Sequence, residues 1–203
     1  MKQNRVTSKD GTRIAFDRSG HGPKLILVGG ALSERSGGAP LVKLLAPRFT
    51  VVSYDRRGRD RTSGVAVHKR RSTCFINEGL DIFDLALDGI WRPVFTVASA
   101  LEATAKLPAK VRKLSLYEPP FIIDDSRPLP PENFVEHINE LIAADRRGDA
   151  VEFWMTDVVG APAEAVAQMP STPTWPALEA VAHTLPYDIA VLGDNMVGKP
   201  LPA

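Results

Sequence analysis

Apolar and polar positions alternate along this chain with two distinct rhythms, and each predicts a kind of element. Leu25-Ile26-Leu27-Val28 is an unbroken apolar run that ends on Gly29-Gly30-Ala31. Leu41, Val42, Leu44 and Leu45 follow at helical spacing, and a second run, Val51-Val52-Ser53-Tyr54, closes on Asp55-Arg56-Arg57-Gly58-Arg59. Strand, helix, strand in that order implies a parallel pair, because a crossover helix must return the chain to the same end of the sheet. Ahead of this unit, Val6 to Ser8 and Thr12 to Arg18 flank Lys9-Asp10-Gly11, an Asp-Gly hairpin signal. Ser19 to Pro23 supplies a second turn.

Beyond Arg59 the rhythm fades. Residues 60–93 show no sustained period except a weak amphipathic stretch over Asn77 to Ile90, with Leu80, Phe83 and Leu87 inward. Ala98 to Leu107 reads as a helix and Val111 to Tyr117 as a strand that Glu118-Pro119-Pro120 ends. The Pro-rich connector from Asp124 to Pro131 predicts a boundary, with a core over 1–123 and a helical cap over 124–203. Helices are expected at Asn133–Asp145, Asp149–Val158, Ala163–Met169 and Trp175–Thr184, with Pro186 as a breaker. No strand is expected after Tyr117. The predicted class is α/β: a mostly parallel sheet with an N-terminal antiparallel hairpin and a helical lid.

Composition narrows the partners. The 203 residues are 44% hydrophobic and carry a net charge of +1, which gives no whole-chain argument for nucleic acid or membrane. The single cysteine, Cys74, permits no intramolecular disulfide, and the polar start Met1-Lys2-Gln3-Asn4-Arg5 leads into no apolar signal segment. With no run near bilayer-spanning length, the expectation is a cytoplasmic protein. No spaced His/Cys cluster or phosphate-binding loop predicts a metal or cofactor, and Gly20-x-Gly22 precedes its strand where a dinucleotide turn would follow. Residues 56–71 hold seven Lys/Arg against Asp60. Without aromatics to stack bases, this basic loop reads as a solvated face and not a nucleic-acid reader.

Three segments in order, Ser8-Lys9-Asp10-Gly11-Thr12, Leu27-Val28-Gly29-Gly30-Ala31-Leu32 and Tyr54-Asp55-Arg56-Arg57-Gly58-Arg59, resemble the α/β-hydrolase family. Leu116-Tyr117-Glu118-Pro119-Pro120-Phe121 and the helical tail resemble the sixth strand and lid of its small bacterial members. The resemblance covers roughly 1–59 and 97–203. It implies ester or amide hydrolysis of a small-molecule substrate through a serine on a strained G-x-S-x-G turn, followed later in the chain by an acid and a histidine. It also implies an oxyanion hole drawing on backbone N–H groups after the early glycine turn, here Gly30 and Ala31.

The chain departs from that pattern at its chemical centre. No G-x-S-x-G occurs, and Pro93-Val94 stand about where the resemblance places the residue pair that carries the nucleophile. Ser99 lies inside the next helix without flanking glycines. His21, His68 and His137 read as surface residues, His183 as a cap-helix residue, and Asp55, Asp124 and Asp125 have no histidine placed beside them. No catalytic residue is therefore assigned. Cys74 lacks an activating histidine and reads as an ordinary thiol.

The resemblance stops after Arg59 and resumes near Val97, as paired frameshifts in the gene would produce. It also expects further strands beyond Ala203, leaving Val111–Tyr117 as an open edge through which copies could associate. The alternative is a non-catalytic binding or interaction module, using the basic loop or a pocket among Phe134, Ile138, Leu141, Phe153, Trp154, Met155, Trp175 and Leu178. Each of those eight reads more simply as helix packing.

Overall fold

Alternation decides which side of the sheet each residue of the first two runs serves. Ile26, Val28, Val52 and Tyr54 share one buried cluster with Ile14, Phe16 and Val111, while Leu25, Leu27 and Val51 bury on the opposite face against Leu41, Val42, Leu45 and Phe49. Both faces of these two strands are covered, which is why their sequences read as continuous apolar runs. Burying each such side chain contributes roughly 1.5–3 kcal/mol.

A computed structural model describes residues 4–8, 11–59, 101, 104–105, 109, 111, 113–116, 121–122 and 128–192. The chain divides into two compact units, Met1–Pro119 and Pro120–Ala203. In the first, β1 (Asn4–Thr7), β2 (Arg13–Ser19), β3 (Lys24–Leu27) and β4 (Thr50–Tyr54) form one sheet in the order β1-β2-β4-β3. β3 and β4 are parallel, from Lys24 opposite Thr50 to Leu27 opposite Ser53. β1–β2 and β2–β4 are antiparallel, so the described sheet is mixed. The crossover helix α1 (Ala39–Leu45) carries Pro40 in its first turn, where a missing N–H costs nothing.

The hairpin, the parallel pair and the crossover helix agree with the pattern in the sequence, and three details differ. Leu44 does not join the apolar stripe: it is 77% exposed, because Leu41, Val42 and Leu45 already fill the arc facing the sheet. Of the strand expected at Val111–Tyr117, Val111 and residues 113–116 are described, and none pairs in the sheet. Val111 and Leu114 instead pack their side chains onto the Ile14–Tyr54 cluster, burying apolar surface without a backbone ladder. Arg112 and Tyr117 of that segment lie outside the described residues. The helix expected over Asn77–Ile90 lies outside the described residues, while Leu101, Thr104 and Ala105 of the one expected over Ala98–Leu107 are helical.

The second unit is helical in its described part: α2 (Phe134–Ala143), α3 (Arg147–Phe153), α4 (Ala163–Gln168), α5 (Trp175–Val181) and α6 (Leu185–Leu192). Phe134, Ile138 and Leu141 recur on one face of α2 and are buried. α2 ends in a Schellman turn: Asp145 sits at φ 54°, its N–H donates to Ile142, and the Arg146 N–H donates to Leu141. α3 runs on into a π-helical turn, Trp154–Val158. The helix α6 goes beyond the expected set. Pro186 occupies its first turn, so the residue read as a stop is in fact compatible with a start. Among the described residues no helix is long and apolar enough to cross a membrane.

Candidate functional site

The site begins where β3 ends. Past Val28 the chain leaves the sheet through Gly29-Gly30-Ala31, and Leu32, buried, takes a left-handed φ of 54° that completes the turn. The Ser33 hydroxyl donates to the Gly30 carbonyl at 2.9 Å, and a Cβ on Gly29 would come within 2.6 Å of the same hydroxyl oxygen. Glycine at 29 is what lets Ser33 fold back over the turn.

Two arginines from the turn after β4 hold the same segment from the other side. Arg59 Nη1 donates to the Gly30 carbonyl at 2.9 Å and Arg56 Nη1 to the Gly29 carbonyl at 3.3 Å. Each carbonyl shares a planar trans peptide with the next residue's N–H, which must point the opposite way. Fixing the Gly29 and Gly30 oxygens therefore fixes the directions of the Gly30 and Ala31 N–H groups. Both residues line a cavity of about 480 Å³ at the carboxyl ends of the parallel strands, bounded also by Leu27, Ser53 and Tyr54. Crevices at the carboxyl ends of strands are where open α/β sheets bind ligands.

The arginines are themselves anchored inward. Asp55 is completely buried; its backbone N–H donates to Ala15 at 3.0 Å and its carboxylate accepts from the Arg35 N–H at 2.9 Å. The Arg35 guanidinium pairs with Asp55 and donates from Nε to Asp17 at 2.8 Å. Arg57 reaches back to the hairpin, donating to the hydroxyls of Thr12 and, at 3.0 Å, Ser8. A charge leaves water only where partners replace its hydration, and these contacts supply them. The basic loop expected over 56–71 is corrected at its start: Arg56, Arg57 and Arg59 are buried structural donors, not a solvated cationic face.

The other singled-out residues do not converge here. Asp55 is committed to Arg35, and His21 is exposed in its turn. His137 lies on α2 with its ring edge-on to Phe153 at 4.6 Å, and the His183 ring sits 3.0 Å from the Ala180 carbonyl. His68, Cys74, Val94, Ser99, Asp124 and Asp125 lie outside the described residues. Of the eight apolar residues that could have lined a pocket in the helical unit, Phe134, Ile138, Leu141, Trp154 and Trp175 are buried in its core. Among the described residues no three His, Cys, Asp or Glu side chains gather as metal ligands. The sequence pattern flagged Gly30 and Ala31 but not Arg56, Arg59 or Ser33. The run Asp-Arg-Arg-Gly-Arg marks a turn, and nothing in it says that the guanidinium groups face inward.

No protein-family model and no curated protein matches the chain. Solved structures do. An alpha/beta hydrolase from Sphaerobacter thermophilus DSM 20745 superposes with a TM-score of 0.88 at 47% identity, over 95% of this chain and 74% of that one. A hydrolase from Pseudomonas aeruginosa PA01 gives a TM-score of 0.71 at 15% identity, covering 96% and 73%. A bottromycin epimerase in complex with bottromycin A2 gives 0.60 at 20% identity, covering 93% and 74%. At those lower identities the likeness is one of fold.

Proposed function

The chain belongs to the α/β-hydrolase family, and on that premise we propose that it keeps a hydrolase scaffold while lacking serine-dependent turnover. The single observation that carries this reading is the missing nucleophile: no serine anywhere in the 203 residues stands in a G-x-S-x-G turn. An acyl-enzyme needs a hydroxyl held clear of the sheet beside a base, and valine at 94 offers no nucleophilic atom.

The rest of the apparatus for acyl chemistry is better supported. The Gly29–Leu32 turn, clamped by Arg56, Arg59 and Ser33, suits Gly30 and Ala31 to serve as oxyanion donors for a carbonyl in the adjoining cavity. Donors held this rigidly lose little in reorganisation when charge develops. In this reading the substrate class of active relatives is a small ester or amide, and this chain binds such molecules without cleaving them. The abrupt loss of likeness between 60 and 96 is explained by paired frameshifts in the coding DNA. The core extends over 1–123 and the helical cap over 124–203. The chain acts in the cytoplasm, without a cofactor.

Two experiments test the reading. Purified protein incubated with p-nitrophenyl acetate and butyrate should release product at the buffer rate, with neither burst nor saturation. Saturable turnover that a serine substitution abolishes would refute the proposal. Translating codons 60–96 in the other two frames should reveal a glycine-flanked serine, and its absence from both would remove the frameshift explanation.

A further inference from the structure

The cavity beside the glycine turn contains a polar group that the fold leaves unused. Ser53 lies in β4 between Val52 and Tyr54, which bury on the far face, so alternation turns its hydroxyl toward the α1 side with Val51. It is only 6% exposed, it lines the cavity of about 480 Å³, and among the described residues its hydroxyl has no hydrogen-bond partner. The hydroxyl opens onto the cavity, where a ligand or water can both donate to it and accept from it. The rest of the wall has two characters: side chains of Leu27, Pro40 and Leu41 are apolar, while Gly37 and Gly38 leave space where side chains would stand. A Cβ on Gly38 would come within 2.8 Å of Leu27.

We propose that this cavity binds a small neutral molecule with an apolar body and one hydroxyl group, which exchanges a hydrogen bond with Ser53. Its volume falls in the range of small-molecule sites, roughly 300–1,000 Å³. Neutrality follows from the charges around it. Among the described residues the charged side chains lining it are Glu34 and Arg35, one of each sign, and Arg35 is already paired with Asp17 and Asp55. An ionic ligand would find a balanced field and would lose its hydration on entering. A serine hydroxyl both donates and accepts, so an alcohol satisfies it fully. The inference concerns the cavity of the proposed function and deepens that reading by naming the ligand chemistry; it requires no nucleophile, so it does not depend on whether the chain hydrolyses anything.

The probe is 2-naphthylmethanol, with 2-methylnaphthalene, 2-naphthylmethylamine and 2-naphthoate as relatives lacking the hydroxyl or bearing charge. Titration followed by ¹H–¹⁵N NMR should shift the amides of Gly29, Gly30, Gly37 and Gly38, which appear in the well-separated glycine region. 2-Naphthylmethanol should bind about five-fold more tightly than 2-methylnaphthalene, the worth of one hydrogen bond. It should also bind more tightly than either charged relative, with little change between low and high salt. In Ser53→Ala the two neutral probes should bind alike. Equal binding of the neutral pair to the native chain, preference for a charged probe, or shifts confined to other amides would each overturn the proposal. If Ser53→Ala fails to fold, the native-chain comparison of the neutral pair still decides. Ester turnover would refute the proposed function and leave this result untouched.

Discussion

Arg59 is the residue on which the turn after β3 most depends. It is 1% exposed and donates to the Gly30 carbonyl that also accepts from Ser33. Replacing it with Met keeps the bulk and removes the donor, leaving one of the two bonds to that oxygen. Arg59→Met should destabilise the first unit by about 1.5–3 kcal/mol, the range for a hydrogen bond to a charged group. A lowered urea midpoint at unchanged slope is the expected reading. Amide exchange at Ala31 should quicken as its peptide plane is released, whereas unchanged exchange there would separate Arg59 from the orientation of that N–H. How much of this was legible in the sequence differs residue by residue. Gly29 and Gly30 after an apolar run announce a sharp strand exit, because few other residues tolerate close approach. That Arg56 and Arg59 would fold onto it was not legible, since arginine in a turn is ordinarily solvated. Burial of those side chains depends on carbonyls about thirty positions away, which no local pattern encodes.

At the scale of elements, turns carry the strictest demands. Gly20 has φ 83°, and a Cβ there would collide with the carbonyl oxygens of Ala46 and Phe49, where the chain leaves α1 for β4. Gly20→Ala combines left-handed strain with overpacking against backbone, so a loss of about 2 kcal/mol or more is expected in thermal or urea unfolding. Asp145 presents the reverse case. It occupies the position of the α2 Schellman turn that glycine usually fills, and its exposed carboxylate accepts from Arg147 Nε at 2.8 Å. Exposed pairs of this kind contribute little. Asp145→Gly should therefore leave the stability of the helical unit unchanged or raise it by up to about 1 kcal/mol, while Asp145→Val should lower it by about 1–2 kcal/mol. Helices α2 to α5 were readable because their apolar positions recur at 3.6-residue spacing. α6 was missed because proline breaks a helix interior and yet suits its first turn, and only the backbone distinguishes the two.

For the molecule as a whole, family membership and activity are separate questions. The four-stranded order β1-β2-β4-β3 and 47% identity to the Sphaerobacter thermophilus hydrolase establish the scaffold. A fold alone does not establish chemistry, since function resides in particular side chains set on it. The bottromycin epimerase shares this fold under a different reaction name. What the scaffold presents here is the glycine turn, its arginine clamp and a cavity at the strand ends. What the sequence lacks is a serine in the G-x-S-x-G setting typical of the family's nucleophile. The order of motifs made the fold readable from sequence, because strand, glycine turn, helix, strand and arginine turn constrain one another. The described residues of the Val111–Tyr117 segment are extended in composition but unpaired in the sheet, because composition alone does not supply a ladder.

The most direct test is covalent. The purified chain is treated with an excess of a fluorophosphonate, which phosphonylates serines activated by a histidine, and its intact mass is measured. The account predicts an unchanged mass under conditions that fully modify an active serine hydrolase run alongside. Stoichiometric addition of one phosphonyl group, mapped to a serine of this chain, would contradict it.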